Sequence, residues 1–418
     1  MDFFRFLMSD VLSEPAVLVG LIALIGLIAQ KKPVTECIKG TVKTIMGFVI
    51  LGAGAGLVVS SLGDFANIFQ HAFGIQGVVP NNEAIVSVAQ KSFGKEMAMI
   101  MFFAMVINIM IARFTPWKFI FLTGHHTLFM SMMVAVILAT AGMTGITLIA
   151  VGSLVVGVAM VFFPAIAHPY MKKVTGSDDV AIGHFSTLSY VLAGFIGSKF
   201  GNKEHSTEDM NVPKSLLFLR DTPVAISFTM SIIFLVTCLF AGADAVKELS
   251  GGKNWFMFSI MQSITFAAGV YIILQGVRMV IAEIVPAFKG ISDKLVPNAR
   301  PALDCPVVFP YAPNAVLVGF LSSFAAGLIG MFTLYLLNMI VIIPGVVPHF
   351  FVGAAAGVFG NATGGRRGAI LGAFAQGLLI TFLSVFLLPV LGDIGFANTT
   401  FSDADFGALG ILLGIIVR

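Results

Sequence analysis

Long apolar runs recur along this chain, and most are long enough to cross the hydrocarbon core of a bilayer. Charged residues are scarce: they make up 11% of the 418 residues, against 58% hydrophobic residues, whereas soluble domains carry about 25% charged residues. We therefore predict an all-α polytopic membrane protein embedded in the lipid bilayer. The main runs are 15–30, 42–62, 97–111, 130–141, 146–163, 224–240, 256–274, 316–336 and 369–391, and shorter pieces are 178–200, 342–365 and 407–417.

Composition and motifs argue against several other classes. The net charge of +3 is too small to indicate a nucleic-acid partner. Cys37, Cys238 and Cys305 lie far apart, which predicts neither a disulfide framework nor a metal site. The chain carries no phosphate-binding or dinucleotide glycine motif, so we expect no cofactor. Any phosphoryl transfer would then need a partner protein that supplies the phosphate.

Residues 300–316 cannot form a regular spanning helix. Pro306, Pro310 and Pro313 follow Asp304 closely, and each proline removes a backbone donor and clashes one turn back. Broken backbone at membrane depth is tolerated only where protein or a cavity surrounds it. We interpret the stretch as a re-entrant or unwound segment that brings Asp304 to a polar site. The alternative is a cytoplasmic loop in which Arg300 is the ion-pair partner of Asp304.

Three histidines lie in similarly short or broken apolar pieces. His125 follows Thr123-Gly124, His184 follows a glycine, and His349 follows a proline. Ionisable residues inside membranes usually face the protein interior and mark pathways or sites. We therefore expect His125 and His184 to bind solute, although a helix cap would also explain His125. The cap is the favoured role for His126, and His349 is a weaker candidate.

The charge pattern and the element order together predict an inverted repeat. Lysine and arginine fall at alternate span ends, which are cytoplasmic by the positive-inside tendency, so the two halves enter the membrane in opposite directions. Broken pieces at matching positions point to a midplane site. We match the His125 segment with Asp304 and the His184 segment with His349, and we expect Asp304, His125 and His184 to share one cavity.

The repeat divides the chain into five parts. Scaffold helices occupy 1–62 and 221–277, and core parts occupy 63–220 and 304–418, with re-entrant hairpins near 178–200 and 342–365. Residues 278–303 are amphipathic and are expected to lie at the membrane interface. We interpret residues 63–95 as a polar, aqueous connection between spans.

Several long stretches resemble the ascorbate-specific IIC permease of the bacterial phosphotransferase system, with a more distant likeness to its galactitol permease. They are L-T-G-H, Q-G-V-R-M-V-I-A-E-I-V-P-A-F-K-G-I-S, A-L-D-C-P-V-V-F-P-Y-A-P-N-A-V, I-K-G-T-V-K-T-I-M-G-F and H-F-F-V-G-A-A-A-G-V-F-G-N-A-T-G-G-R-R. The resemblance implies a homodimer in the bacterial inner membrane. Each subunit would have a V-motif scaffold and a core that moves like an elevator. Cytoplasmic IIB and IIA proteins would supply the phosphate.

The same resemblance implies a set of solute-binding positions. These are Gly54, Ala55, Asn82, Glu83, His125, Phe129, His184, Phe185, Asp304, Ala355 and Ala356. Phe129 and Phe185 stand where the ascorbate type has glutamines, and Glu83 stands in place of a tyrosine. The substrate expected is therefore ascorbate or a related sugar acid or polyol. A proton- or sodium-coupled symporter with Asp304 as the ion site is the alternative function.

Overall fold

A computed structural model describes residues 15–75, 77–210, 215, 218–219, 221–392 and 399–417. Helices dominate it. They are α1 (Pro15–Ala29), α2 (Val34–Phe73), α3 (Asn82–Phe114), α4 (Gly124–Thr140), α5 (Gly145–Thr175), α6 (Thr187–Phe200), α7 (Thr222–Ala241), α8 (Ala243–Leu249), α9 (Trp255–Leu295), α10 (Pro313–Leu336), α11 (Val346–Leu391) and α12 (Ala404–Val417). Short 3₁₀ helices cover Thr207–Asp209 and Cys305–Tyr311.

Within the described residues, seven helices are long and apolar enough to cross a bilayer, which confirms a helical polytopic membrane protein. They are α2, α3, α5, α7, α9, α10 and α11. Helix α11 is broken at Gly364 and Gly365. Gly365 has φ +60, and a side chain there would meet the carbonyl oxygens of Asn202 and His205. A glycine suits this position, because only glycine takes that backbone conformation at no steric cost.

In the described part of the chain, six short strands that the sequence pattern did not predict lie among the helices. They are β1 (Gly77–Pro80), β2 (Phe119–Phe121), β3 (Ala181–Ile182), β4 (Arg300–Leu303), β5 (Val341–Ile342) and β6 (Thr399–Thr400). They form two three-stranded sheets, β5-β1-β6 and β2-β4-β3, and all pairs are parallel. These pairings satisfy backbone groups that would otherwise be unbonded where the helices break, which is costly in an apolar environment.

Each sheet combines strands from both halves of the chain. The first half contains the element order β1, α3, β2, α4, α5, β3, α6. The second half repeats this order as β4, α10, β5, α11, β6, α12. In the second half, the break in α11 takes the place of the turn between α4 and α5. The central strand of each sheet comes from one half and both edge strands from the other. The two halves are therefore interlocked through their strands.

This element order corrects how we matched the broken segments. Strand β4 and Asp304 correspond to β1 and Asn81, since both strands open their half of the repeated order. Both side chains also cap the helix that follows: Asn81 accepts a hydrogen bond from the backbone N–H of Ala84, and Asp304 accepts one from Cys305. The His125 segment follows β2 and therefore corresponds to the segment after β5, which carries His349, and not to Asp304. The His184 segment follows β3 and corresponds to the segment after β6, and not to His349.

The structure also corrects two other expectations. Residues 63–95 are not an aqueous connection, because they include the end of α2, the buried strand β1 and the buried start of α3. Arg300 does not pair with Asp304: its guanidinium contacts the Asp178 carboxylate, and its Nε donates to the Asp178 carbonyl at 3.0 Å. Helix α9 runs through residue 278 to Leu295 without interruption.

Candidate functional site

The three strands of one sheet deliver three polar side chains to the same place. Asp304 follows β4, His184 follows β3, and His125 lies in the first turn of α4 after β2. Because β2, β4 and β3 are parallel, their carboxyl ends meet at one edge, where ligands commonly bind in parallel sheets. His184 Nδ1 lies 2.8 Å from Asp304 Oδ1, and His125 Nε2 lies 3.4 Å from Asp304 Oδ2.

The second sheet delivers polar groups from the opposite side. Asn82 and Glu83 follow β1, and Ser402 and Asp403 follow β6. The Asn82 amide connects the two segments, since its Nδ2 donates to Asp403 Oδ2 at 2.9 Å and its Oδ1 accepts from the Ser402 backbone N–H at 2.9 Å. All four residues are buried. Buried amides and carboxylates fix geometry well when they are bonded in this way.

A cavity of about 210 Å³ lies between the two sets of strand ends. Helix α9 closes one side with Leu274 and Arg278, and Arg278 supplies the one guanidinium of the lining. The full lining is Asn82, Glu83, His125, His126, Phe129, His184, Leu274, Arg278, Asp304, Pro306, Val347, Pro348, Phe351, Ser402 and Asp403. A second, more open groove of about 420 Å³ also contacts His125, Asp304 and Pro306, so these residues lie between the two spaces.

Six of the expected binding residues line this cavity. They are Asn82, Glu83, His125, Phe129, His184 and Asp304. The structure thus brings together Asp304, His125 and His184, as the inverted repeat predicts, although their strands come from non-equivalent positions of the two halves.

The other expected residues lie elsewhere. A side chain at Gly54 would meet Ile273 and the Gly269 carbonyl, so this glycine allows α2 to approach α9. Ala55 follows it in α2, and its side chain falls outside the described part of the structure. Phe185 is fully buried and stacks on Phe121, with ring centroids 4.5 Å apart. The remaining two, Ala355 and Ala356, are fully buried in an apolar cluster.

Three groups of the lining were not expected from the sequence. His126 was interpreted as a cap, Asp403 was not considered, and Arg278 was assigned to an interfacial segment. The Asp403-Ala404-Asp405 sequence directly before a short apolar helix was an available signal, because acidic residues are favoured at helix starts. Asp405 caps the start of another helix: its carboxylate accepts hydrogen bonds from the Thr187 and Leu188 N–H groups of α6, at 2.8 and 2.9 Å.

His349 lies outside the cavity lining. Its Nδ1 is 2.7 Å from Ser323 Oγ, which donates to Gln376 Oε1 at 2.7 Å. All three residues are buried, and they join α10 to both parts of α11. Polar side chains often connect helices in this way within membranes.

The groups of histidines and carboxylates that include His126 do not fit a divalent cation well. His126 Nε2, His184 Nε2 and a carboxylate oxygen of Asp403 lie close enough together to be considered as a ligand set. However, His126 Nδ1 accepts a hydrogen bond from the Phe185 backbone N–H at 3.2 Å. In a neutral imidazole the proton is then on Nε2, and a protonated nitrogen cannot coordinate a metal.

A polar cavity lined by ionisable residues and enclosed by membrane-crossing helices is typical of proteins that bind or move a solute across the membrane. Residues 10–405 match the family EIIC-GAT, the PTS system sugar-specific permease component. The chain belongs to this family and is a multi-pass protein of the bacterial inner membrane. The match confirms the resemblance drawn from the sequence.

One relative is the ascorbate-specific PTS system EIIC component of Mycoplasma pneumoniae. It is 28% identical over 459 aligned positions, which cover 96% of this chain and 67% of the relative. Permeases of this family work with IIA and IIB proteins and a sugar substrate.

Proposed function

We propose that this chain imports ascorbate or a related sugar acid or polyol, and that a cytoplasmic IIB protein phosphorylates the solute with phosphate relayed by IIA. The observation that carries the proposal is the convergence of His125, His184 and Asp304 on one small cavity. Carboxylates accept hydrogen bonds from hydroxyls, and imidazoles can donate or accept them. The cavity is smaller than pockets for drug-sized ligands, which suits a small hydroxylated solute.

The proposed binding residues are the six that line the cavity. Asp304, His125 and His184 would bind solute hydroxyls from one sheet, and Asn82 and Glu83 would bind them from the other. Phe129 would supply an apolar wall. Gly54, Ala55, Phe185, Ala355 and Ala356 do not line the cavity in this conformation, so they are not part of the set.

We also propose an elevator mechanism, and the packing of the helices within the chain supports it. We define the scaffold as α1, α2, α7 and α9, which pack on one another, and the core as α3–α6 and α10–α12 with both sheets. The core supplies nearly all of the cavity lining, whereas the scaffold contributes only Leu274 and Arg278. A core that carries its own binding groups could move past the scaffold with the solute.

Binding to purified protein tests the site. We expect Asp304→Asn and His184→Asn to weaken solute binding at least about tenfold, because each hydrogen bond to a charged group contributes about 1.5–3 kcal/mol. Ascorbate, pentitols, hexitols and sugar acids would be compared by thermal shift. Asp244→Asn and His71→Asn are matched controls, since both residues are exposed, Asp244 at the start of α8 and His71 in the last turn of α2. Unchanged affinity in the two site variants would contradict the proposal.

Transport into vesicles tests the mechanism. The proposed function predicts that flux needs IIB and yields phosphorylated solute. Uptake of unmodified solute without IIB, abolished by an uncoupler, would instead support the symporter.

A further inference from the structure

His184 lies between two carboxylates that come from different sheets. Its Nδ1 is 2.8 Å from Asp304 Oδ1, and its Nε2 is 3.8 Å from Asp403 Oδ2. Asp304 follows the central strand of one sheet, and Asp403 follows an edge strand of the other. The imidazole ring therefore bridges the two halves of the cavity.

The nitrogen that faces Asp403 has an unmet hydrogen-bonding requirement. His184 Nε2 exposes less than 1 Å² and has no hydrogen-bond partner among the described residues. A buried polar atom without a partner is destabilising. A water molecule would need room and further polar partners, and such an enclosed atom offers no surface for one. Whatever satisfies this nitrogen must add almost no volume.

The hydrogen-bond pattern of the ring shows what is missing. Because the Asp304 carboxylate is an acceptor, His184 Nδ1 carries a hydrogen. In a neutral ring, Nε2 would then present a lone pair to Asp403, so that two acceptors would face each other. A proton on Nε2 converts this contact into a donor facing a carboxylate. Opposite charges this close in a buried site attract strongly.

We propose that His184 and Asp403 together bind one proton, and that solute binding is coupled to its uptake. The proton comes from water and forms an N–H bond at Nε2, which leaves an imidazolium between two carboxylates. The pair titrates as one unit, because its members interact too strongly to be assigned separate values. Substitution of Asp403 is the specific test of this pair, because Asp304 contacts His125 as well as His184.

The neighbouring groups are consistent with this assignment. The titratable and charged groups around His184 on the adjacent elements are Glu83, His125, His126, Tyr190, Arg278, Cys305 and Asp405. Asp405 is held by two backbone N–H groups of α6. His126 presents an N–H at 3.9 Å to the same Asp403 oxygen. The imidazolium of His184 thus offsets an excess of carboxylates, which is the condition that favours a charged imidazole.

Coupling to the solute rests on the proposed function. A solute that fills the cavity excludes water, and the attraction between His184 and Asp403 strengthens as the local dielectric falls. The protonated pair also lowers the negative charge that Glu83, Asp304 and Asp403 present to an acidic solute. Binding should therefore favour the protonated form.

The protonation state is tested without any solute. Protein with ¹⁵N-labelled histidine would be titrated in lipid nanodiscs from about pH 5 to about pH 9, the range in which imidazoles titrate, with His184→Asn identifying the His184 signals. We expect both ring nitrogens of His184 to stay protonated up to a pH above 7. In Asp403→Asn that pH should fall by about one unit or more, and in the control Asp244→Asn it should not change.

The spectrum of the wild-type protein can contradict the proposal by itself, so the test does not depend on whether the variants fold. A neutral His184 with an unprotonated Nε2 at pH 7 would contradict it, and so would an identical titration in a folded Asp403→Asn protein.

The coupling is tested by the pH dependence of ascorbate and pentitol affinity. One coupled proton predicts a loss of up to about tenfold in affinity per pH unit above the pKa of the pair, and Asp403→Asn should flatten this slope. A wild-type slope of zero would refute the coupling. Wild-type protein that binds neither solute would count against the proposed function, while the ¹⁵N titration still decides the proton site.

Discussion

Phe129 and Phe185 are both buried phenylalanines, but only Phe129 contacts the cavity. Phe185 packs instead among the rings of Phe121, Phe163 and Phe406. The two positions looked equivalent in the sequence, because each stands where the ascorbate type has a glutamine. The structure gives them different roles, one in the cavity wall and one in the packed interior.

Substitution by glutamine should separate these roles. Phe129→Gln adds a polar group to the cavity wall, so we expect it to change the relative affinities for ascorbate and polyols with little loss of stability. Phe185→Gln buries an amide in an aromatic cluster and should lower stability by about 3 kcal/mol or more. Thermal unfolding and a solute panel would measure both effects. A stable Phe185→Gln protein with altered solute preference would contradict the assignment.

At the scale of elements, a charged cluster holds the amino ends of the strands in the sheet β2-β4-β3. Asp178, just before β3, is contacted by Arg300 at the start of β4 and by Lys172 and His168 from α5. Hydrogen bonds from Lys172, His168 and Arg300 hold the pKa of Asp178 well below its ordinary value. The cluster therefore fixes the strands whose other ends carry His184 and Asp304.

Asp178→Asn should lower the melting temperature by about 2 °C at neutral pH. A carboxyl whose pKa is depressed by folding contributes stability above its unfolded pKa of about 3.9, and this contribution is lost as the pH falls through the lower folded value. The difference between wild type and variant should therefore shrink below about pH 4. Asp179→Asn is the matched control, because the Asp179 side chain bonds only to nearby Ser177 among the described residues. Equal effects of the two substitutions would contradict the role of the cluster.

The long helices and the centre of the site could be predicted from the sequence, but the strands could not. Apolar runs reveal helices because a span needs many residues, whereas strands as short as β3 and β5 show no periodicity. For the same reason the apolar pattern placed Asn82 and Glu83 in an aqueous connection, and only the family resemblance indicated them as binding positions. Asp304 and His184 were identified because broken backbone next to a titratable group is rare in membranes. Asp403 was missed because its burial depends on pairing between β6 and β1, which are far apart in sequence.

At the scale of the whole molecule, if the core moves against the scaffold, a covalent crosslink between the two should stop transport but not binding. A side chain at Gly52 in the scaffold would lie 4.0 Å from the Gln90 side chain in the core. In a background with alanine at all three native cysteines, we would place cysteines at positions 52 and 90 and join them with a short bifunctional maleimide. We expect solute binding to persist and vesicle uptake to stop.

The control crosslink joins two scaffold helices. Ser61 and Gln262 already contact each other, since Ser61 Oγ donates to the Gln262 carbonyl at 3.0 Å. Cysteines at these positions, linked with the same reagent, should leave uptake intact. Full transport by the 52–90 crosslinked protein would rule out relative movement at this contact.

The exchange of strands between the halves also has a consequence for biogenesis. Strand β1 emerges from the ribosome early, yet its two partners are β5 and β6, and β6 lies near residue 400. A nascent chain thus holds an unpaired strand in the membrane through most of its synthesis, and the cavity gains its last wall only at the end. Solute binding becomes possible only once both halves have been inserted, so a prematurely terminated chain cannot act as a partial permease.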